Sequence, residues 1–116
     1  MTRRARLPAA ELQAASFDRM RTDHRTELAE DYVELIADLI DAKGEARAVD
    51  LADRLGVSPA TVNTQVAKLA RAGLVESAPY RAIFLTDEGR ALADFAKARH
   101  RTVVDFLLAI GVDEAT

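Results

Sequence analysis

Apolar residues recur at helical spacing in the first part of the chain. Between Glu27 and Gly44 they stand one, three or four positions apart, and this spacing places them along one side of an α-helix. The members of this stripe are Leu28, Tyr32, Leu35, Ile36, Leu39 and Ile40. Gly44 is expected to end the helix, because glycine readily adopts the left-handed conformation found after helices. Residues 9–24 carry a weaker helical pattern and predict a less ordered extension before it.

The middle of the chain predicts two short helices joined by a glycine turn. Residues 49–55 form the first, and Gly56 supplies a turn that a side chain would obstruct. Ser58 is a favourable N-cap for the second helix, and Pro59 suits its first helical position. This second helix is expected to run to Arg71.

After the second short helix, the period of apolar and polar positions changes to that of β-strands. Residues 74–77 and 82–85 are strand-like and predict a short hairpin with a polar tip. Thr86 can cap a long final helix. The apolar side of that helix is expected to carry Leu92, Phe95, Ala96, Val103, Phe106, Leu107 and Ile110. The predicted fold is mainly α, a winged helix-turn-helix with a short β-hairpin wing and a long C-terminal helix.

Composition agrees with one soluble domain and excludes several classes of protein. With 116 residues, of which 49% are hydrophobic, the chain is long enough to bury one core. Because it has no cysteine, disulfide scaffolds, thiolate zinc sites and cysteine nucleophiles are excluded. No apolar run approaches the ~20 residues of a membrane span, and no secretory signal follows the N-terminal arginines. We therefore expect a cytoplasmic protein without a membrane partner.

The net charge of −3 conceals an uneven distribution of charge. Residues 1–25 include six arginines and carry +3, whereas residues 26–44 carry −5. Residues 45–85 and 86–116 carry +1 and −2. The acidic total argues mildly against nucleic-acid binding, and the basic N-terminal arm argues for it. A cation bound by the acidic helix would shift the balance further toward DNA.

A helix-turn-helix followed directly by a hairpin is typical of DNA-binding proteins. The second helix of such a motif enters the major groove and presents its N-terminal residues to base edges. In this chain those positions hold small or amide side chains, namely Ser58, Ala60, Thr61, Asn63, Thr64 and Gln65. Candidate phosphate and wing contacts are Arg54, Lys68, Arg71, Tyr80 and Arg81. The alternative is a protein-interaction module built on the same three helices.

Acidic residues on the first helix form a second candidate site. Four of them are spaced three, four and three positions apart and therefore share one face. They are Asp31, Glu34, Asp38 and Asp41. Like charges at this spacing are unfavourable, so the face requires water or a cation. His100 lies on or beside the apolar side of the final helix. There it is either a core residue or, with two carboxylates, part of a site for Mn²⁺ or Fe²⁺.

Several segments of the chain, taken together, carry a more specific pattern. They are residues 30–36, the helix-turn-helix 49–73, Leu85-Thr86-Asp87-Glu88-Gly89 after the wing, Arg99-His100, and residues 106–112. This combination resembles the manganese-responsive branch of the diphtheria toxin repressor family, from about residue 24 to residue 114. The arginine-rich extension is similar to that of the proteobacterial form.

The resemblance implies a transcriptional repressor of manganese-uptake genes. Such a protein binds palindromic operator DNA as a homodimer when it is loaded with Mn²⁺, with Fe²⁺ as the alternative ion. The resemblance also implies that Asp31, Glu34 and His100 are metal ligands. These three positions match the aspartate, glutamate and histidine of the family pattern.

The resemblance further implies an organisation for the chain. It predicts a basic arm at residues 1–25, a DNA-binding domain at 26–86, and the start of a dimerisation and metal-binding region at 87–116. Family members continue into a Glu-Gly-x-Glu-His-His segment that supplies further ligands and much of the dimer interface. Because this chain ends at Thr116, we expect the DNA-binding N-terminal part with half of the metal ligands.

Two other hypotheses remain open from the sequence. One is a metal-independent winged-helix regulator that responds to a small molecule or a partner, and the other is the interaction module without a DNA role. An enzyme is not expected, because the sequence has no supported Ser/His/Asp set, no phosphate loop and no complete hydrolytic metal site. No small-molecule substrate is therefore predicted.

Overall fold

The computed structural model describes residues 9–78 and 81–111, which form helices and one short hairpin. The elements are α1 (Ala10–Lys43), α2 (Ala48–Leu55), α3 (Pro59–Arg71), β1 (Val75–Glu76), β2 (Phe84–Leu85) and α4 (Asp87–Ala109). Their order confirms the predicted mainly α fold with a hairpin wing and a long final helix. No helix in the described ranges is long and apolar enough to cross a membrane.

Helix α1 is one continuous helix of 34 residues that passes through the predicted boundary at residue 25. Gly44 ends it as predicted, with a φ of +83° and an N–H that donates to the carbonyl oxygen of Ile40 at 2.8 Å. Residues 10–27 are exposed, and packing against the rest of the chain starts at Leu28. The predicted arm, as far as it is described, is therefore the exposed first half of α1.

The main hydrophobic core lies where α1, α2, α3 and the hairpin meet. Three residues of the predicted stripe are fully part of it, namely Tyr32, Ile36 and Leu39. They pack with buried residues of the other elements, which include Leu51, Val62, Leu69, Val75 and Ile83. The other stripe residues, Leu28, Leu35 and Ile40, are partly buried against the same cluster. The predicted stripe therefore faces the core along its whole length.

A second, smaller core joins α1 to α4, and the apolar pattern did not predict it. Val33, Ala37 and Ala93 form this cluster and have no exposed surface. Small side chains at a helix contact allow a close approach, because the interaxial distance depends on the residues between the helices. The first half of α4 therefore packs directly along α1, on a different side from the main core.

The hairpin is shorter than predicted, with two residues in each strand. The strands are antiparallel, and Val75 lies opposite Leu85. Ile83 was expected in the second strand, but its N–H donates to the carbonyl oxygen of Ala46 at 2.7 Å. This bond ties the wing to the loop between α1 and α2 and takes Ile83 out of the hairpin pairing.

The apolar side predicted for α4 is buried only in part. Ala96 is fully buried and Leu92 is partly buried, but the remaining predicted residues are exposed. These are Phe95, Val103, Phe106, Leu107 and Ile110. These residues share one side of α4 as predicted and are left uncovered by the described residues, because a helical period shows which residues share a side and not whether another element packs on that side.

The start of α4 depends on one hydroxyl group. The Oγ1 atom of Thr86 accepts a hydrogen bond from the N–H of Gly89 at 3.0 Å and donates to the carbonyl oxygen of Gly73 at 2.6 Å. Thr86→Val keeps the side-chain shape and removes both bonds. We expect it to lower the free energy of unfolding by about 1–2 kcal/mol, as measured by urea denaturation.

Thr102→Val is the matched control for this change. Its hydroxyl donates to the carbonyl oxygen of Ala98 one turn earlier in α4, at an exposed position. That bond caps no helix and joins no second element, so the variant is expected to stay within about 0.5 kcal/mol of the parent. Equal losses in the two variants would contradict the role assigned to Thr86.

Candidate functional site

Helix α3 presents the residues that the sequence singled out for DNA. Its N-terminus has the predicted cap, because the Oγ atom of Ser58 accepts from the N–H of Thr61 at 3.1 Å and Pro59 is the first helical residue. Seven candidates are exposed on α3 or its cap, namely Ser58, Ala60, Thr61, Asn63, Thr64, Lys68 and Arg71. Gln65 is partly buried. The inward side of α3 holds Val62, Val66 and Leu69, so the polar face is left free of the core.

A groove of about 620 Å³ lies between α3, the start of α2 and the wing. Arg47, Asn63 and Arg81 line it together with small and apolar side chains. Among the sequence candidates, the structure thus brings Asn63 of α3 and Arg81 of the wing to one surface. Two guanidinium groups and one amide around a groove can bind an anionic backbone and the edge of a base.

Arg47 is the residue that the sequence analysis missed. It is the N-cap of α2, and its guanidinium donates to the carboxylate of Glu45 at 2.9 and 3.4 Å. These hydrogen bonds lower the pKa of Glu45 and raise the pKa of Arg47, so the pair stays charged. The only signal in the sequence was an arginine two positions before the predicted helix 49–55. That it lines one groove with Arg81 could not be inferred from this signal.

The other basic candidates lie at the ends of helices. Arg54 is exposed in the last turn of α2, and Arg71 is exposed in the last turn of α3. Neither lines the groove. Tyr80, predicted as a wing contact, and the first arginines of the arm lie outside the described residues. Arg54 and Arg71 are therefore not part of the groove, and the DNA contacts of Tyr80 and of the first arginines stay predictions.

Two residues of the acidic face of α1 pair with basic residues of α4 and stay more than half exposed, so ion pairs and solvent together offset the repulsion that was expected to require water or a cation. Asp41 accepts from the guanidinium of Arg90 at 3.4 Å, and Asp38 pairs with Lys97. Further along, Glu30 pairs with Arg99. Acidic residues earlier in α1 meet basic residues later in α4, so the two helices are antiparallel. The spacing of charges within one helix does not show which residues of another helix pack against it, so this pairing could not be predicted from the sequence.

Two of the three predicted metal ligands are in contact. The Nδ1 atom of His100 lies 3.2 Å from Oε2 of Glu34, so the contact joins α4 to α1. The His100 side chain is 53% exposed, and the possibility that it is a core histidine is therefore excluded. Asp31 is exposed and lines a pocket of about 510 Å³ together with His100. All three side chains thus border one region between α1 and α4.

The donor chemistry of this region fits a divalent ion of the Mn²⁺ or Fe²⁺ type. Two carboxylates and one imidazole provide oxygen and nitrogen donors, and the sequence has no thiolate that would favour softer metals. Among residues 9–78 and 81–111, however, no three His, Asp or Glu side chains are close enough together to hold an ion. The three residues therefore fit as part of a ligand set, with Glu34 and His100 already adjacent.

Solved structures with the same fold define the class of protein. The apo form of a double mutant of ZitR from Lactococcus lactis matches with a TM-score of 0.62 and 19% identity, covering 91% of this chain and 83% of ZitR. A MarR family protein from Mycobacterium tuberculosis in complex with DNA matches with a TM-score of 0.53 and 25% identity, covering 90% of this chain and 85% of that protein. The fold is that of winged-helix regulators.

Sequence comparisons identify the family within this class. The model of the iron dependent repressor, N-terminal DNA binding domain, matches residues 24–83. Transcriptional regulator MntR from Escherichia coli is 48% identical over 121 residues, which cover 97% of this chain and 78% of the relative. Its namesake from Salmonella typhimurium is 51% identical over 96 residues, which cover 83% of this chain and 61% of the relative. The chain belongs to the iron-dependent repressor family. It is a DNA-binding transcriptional regulator similar to MntR, and not an enzyme.

Proposed function

We propose that this protein is a Mn²⁺-responsive repressor of manganese-uptake genes, which acts in the cytoplasm and binds palindromic operator DNA as a homodimer. The observation that carries the proposal is the contact between Glu34 and His100, 3.2 Å apart. It places a carboxylate of α1 and an imidazole of α4 together, on a fold whose α3 and wing present a DNA-binding surface. Fe²⁺ is the alternative ion, since the donor types suit both metals.

In this proposal α3 enters the major groove, which is about 12 Å wide in B-form DNA. Asn63 and Gln65 carry amides that can pair with adenine edges, and Thr61 and Thr64 can contact phosphates or thymine methyl groups. Ser58 and Ala60 allow a close approach because they are small. Arg54, Lys68 and Arg71 contact phosphates, and so do Arg47 and Arg81, which line the groove beside α3. In a dimer, the two α3 helices would be one helical turn apart, roughly 34 Å.

Asp31, Glu34 and His100 would hold the metal, completed by ligands outside this set. A bound divalent cation would supply positive charge that links the carboxylates of α1 to the imidazole of α4. The link would reach α3 because α4 starts directly after the wing, where Thr86 donates a hydrogen bond to Gly73, two residues after the end of α3. Fixing α4 against α1 thus fixes the position of α3 in each half of a dimer.

The test measures operator affinity with and without Mn²⁺ by fluorescence anisotropy. The DNA is a duplex enriched from random sequence by the Mn²⁺-loaded protein, so no operator needs to be known beforehand. We expect Mn²⁺ to strengthen binding by about tenfold or more, a coupling typical of allosteric regulators. We expect His100→Ala to remove this gain while retaining the metal-independent binding.

Asp38→Asn is the matched control, because it changes another acid on the same face of α1, one that pairs with Lys97. It is expected to respond to Mn²⁺ like the parent. Failure to enrich any duplex would overturn the DNA part of the proposal. Specific binding that ignores Mn²⁺ in the parent would instead support the metal-independent winged-helix regulator.

A further inference from the structure

We propose that Arg99 determines how many carboxylates the candidate metal site can offer. In this inference, which rests on the proposed function, the guanidinium of Arg99 occupies the Glu30 carboxylate and keeps it out of the ligand set of Asp31, Glu34 and His100. Arg99 is thereby a residue that limits metal affinity without itself being a ligand.

The burial of Glu30 is the first observation that supports this role. Glu30 is only 5% exposed, and it is the one charged residue that is buried among residues 9–78 and 81–111. A carboxylate in such a position is costly unless it is paired and hydrogen-bonded. Arg99 meets this requirement with two contacts, one from Nη2 to Oε2 and one from Nη1 to Oε1 at 3.4 Å. Both carboxylate oxygens are therefore engaged by one guanidinium.

The position of the pair beside the candidate ligands is the second observation. Glu30 precedes Asp31 directly and lies one helical turn before Glu34, and Arg99 precedes His100 directly. Glu30, Asp31, Arg99 and His100 all line the same pocket of about 510 Å³. A carboxylate released at this place would face the same space as the predicted ligands.

The orientation of Arg99 is the third observation. Its guanidinium carbon lies 5.6 Å from the centre of the Phe95 ring, within the range of a cation–π contact. Phe95 precedes Arg99 by one turn of α4, so the ring steadies the guanidinium from its own helix. The guanidinium is therefore held in place at the edge of the pocket, and its positive charge stays there.

The consequence is a site whose ligand number is restricted. With Arg99 present, Glu30 is neutralised and its oxygens are used. Without Arg99, the same carboxylate would be buried and unpaired next to Asp31 and Glu34, and a divalent cation would be the available partner for it. Removing the guanidinium should therefore make Mn²⁺ binding tighter, although it destabilises the metal-free protein.

The experiment measures the dissociation constant for Mn²⁺ from the electron paramagnetic resonance signal of the free ion. The variants are Arg99→Met, which keeps the length and removes the charge, and the double variant Glu30→Gln/Arg99→Met, which removes both charges. Arg90→Met is the matched control, because it breaks another pair between the same helices, nine residues and roughly 13 Å along α4. Circular dichroism verifies that each variant is folded.

We expect Arg99→Met to bind Mn²⁺ about tenfold or more tightly than the parent, and the double variant and Arg90→Met to bind like the parent. If Arg99→Met binds Mn²⁺ while the parent, the double variant and Arg90→Met show no measurable binding, the role of Arg99 is supported and the proposed function is overturned. If the parent binds Mn²⁺ and Arg99→Met binds equally or more weakly, the inference is wrong and the proposed function stands. If neither binds, both are wrong.

Discussion

Changing Arg47 and Arg81 together to glutamine is expected to weaken operator binding about 30-fold at 0.15 M salt. The two guanidinium groups line the same groove beside α3, so both are placed to neutralise phosphates. Each phosphate contact releases about 0.9 counterions from duplex DNA. At 0.15 M salt, the counterion release that is lost with two contacts corresponds to an affinity about 30-fold lower. The same argument predicts that the slope of log affinity against log salt becomes shallower by about 2.

The measurement is a salt series of anisotropy titrations on the enriched duplex, run beside a scrambled duplex. Phosphate contacts carry no sequence information, so both duplexes should lose affinity by a similar factor. Arg101→Gln is the control for the charge change, because Arg101 is exposed in the distal part of α4, away from the groove. A salt slope that is unchanged in the double variant would show that these arginines do not contact phosphates.

Gly89→Ala is expected to cost about 3 kcal/mol of unfolding free energy. A Cβ atom at Gly89 would lie 1.9 Å from the carbonyl oxygen and 2.9 Å from the carbonyl carbon of Leu74. Both are backbone atoms, so the overlap is relieved only by moving the first turn of α4 away from the turn between α3 and β1. Forcing extra atoms into a packed contact costs about 1–3 kcal/mol, and a rigid backbone neighbour places this site at the upper end.

Gly44→Ala is the matched control, because it measures the conformational cost of replacing a glycine without any steric overlap. Gly44 has a φ of +83°, and a Cβ atom there would meet nothing within 4 Å. The expected cost is about 1 kcal/mol, from the left-handed backbone alone. Urea denaturation followed by circular dichroism compares the two variants. A loss at Gly89 no larger than that at Gly44 would contradict the tight contact with Leu74.

The helix ends show how much of the fold could be predicted from sequence. Gly44, the Ser58 cap and the Thr86 cap are all found where the pattern placed them. Each depends on hydrogen bonds between residues three or four positions apart, so the necessary groups are adjacent in the sequence. The hairpin strands were less predictable, because Ile83 bonds to Ala46, far away in the chain.

Each candidate site likewise has a part that the sequence predicts and a part that it does not. The residue types on α3 and on the acidic face of α1 follow from helical periodicity, which fixes the face that each residue occupies. The neighbours of that face do not follow from it. Asp38 is paired with Lys97, 59 residues away, and Glu30 with Arg99, 69 residues away. The exposed end of α4, with Phe106 and Ile110, was equally undetermined by its own period.

The sequence by itself thus determined the order of the elements, their capped ends, the polar face of α3 and the residue types of the candidate metal site. These properties are local, because they depend on backbone hydrogen bonds and side-chain spacing within one or two turns. The tertiary structure alone decided that Arg47 and Arg81 line one groove, that Glu34 touches His100, and that Arg99 covers Glu30. The last two contacts depend on how closely α4 packs against α1, and the small residues Ala37 and Ala93 between these helices allow the close approach.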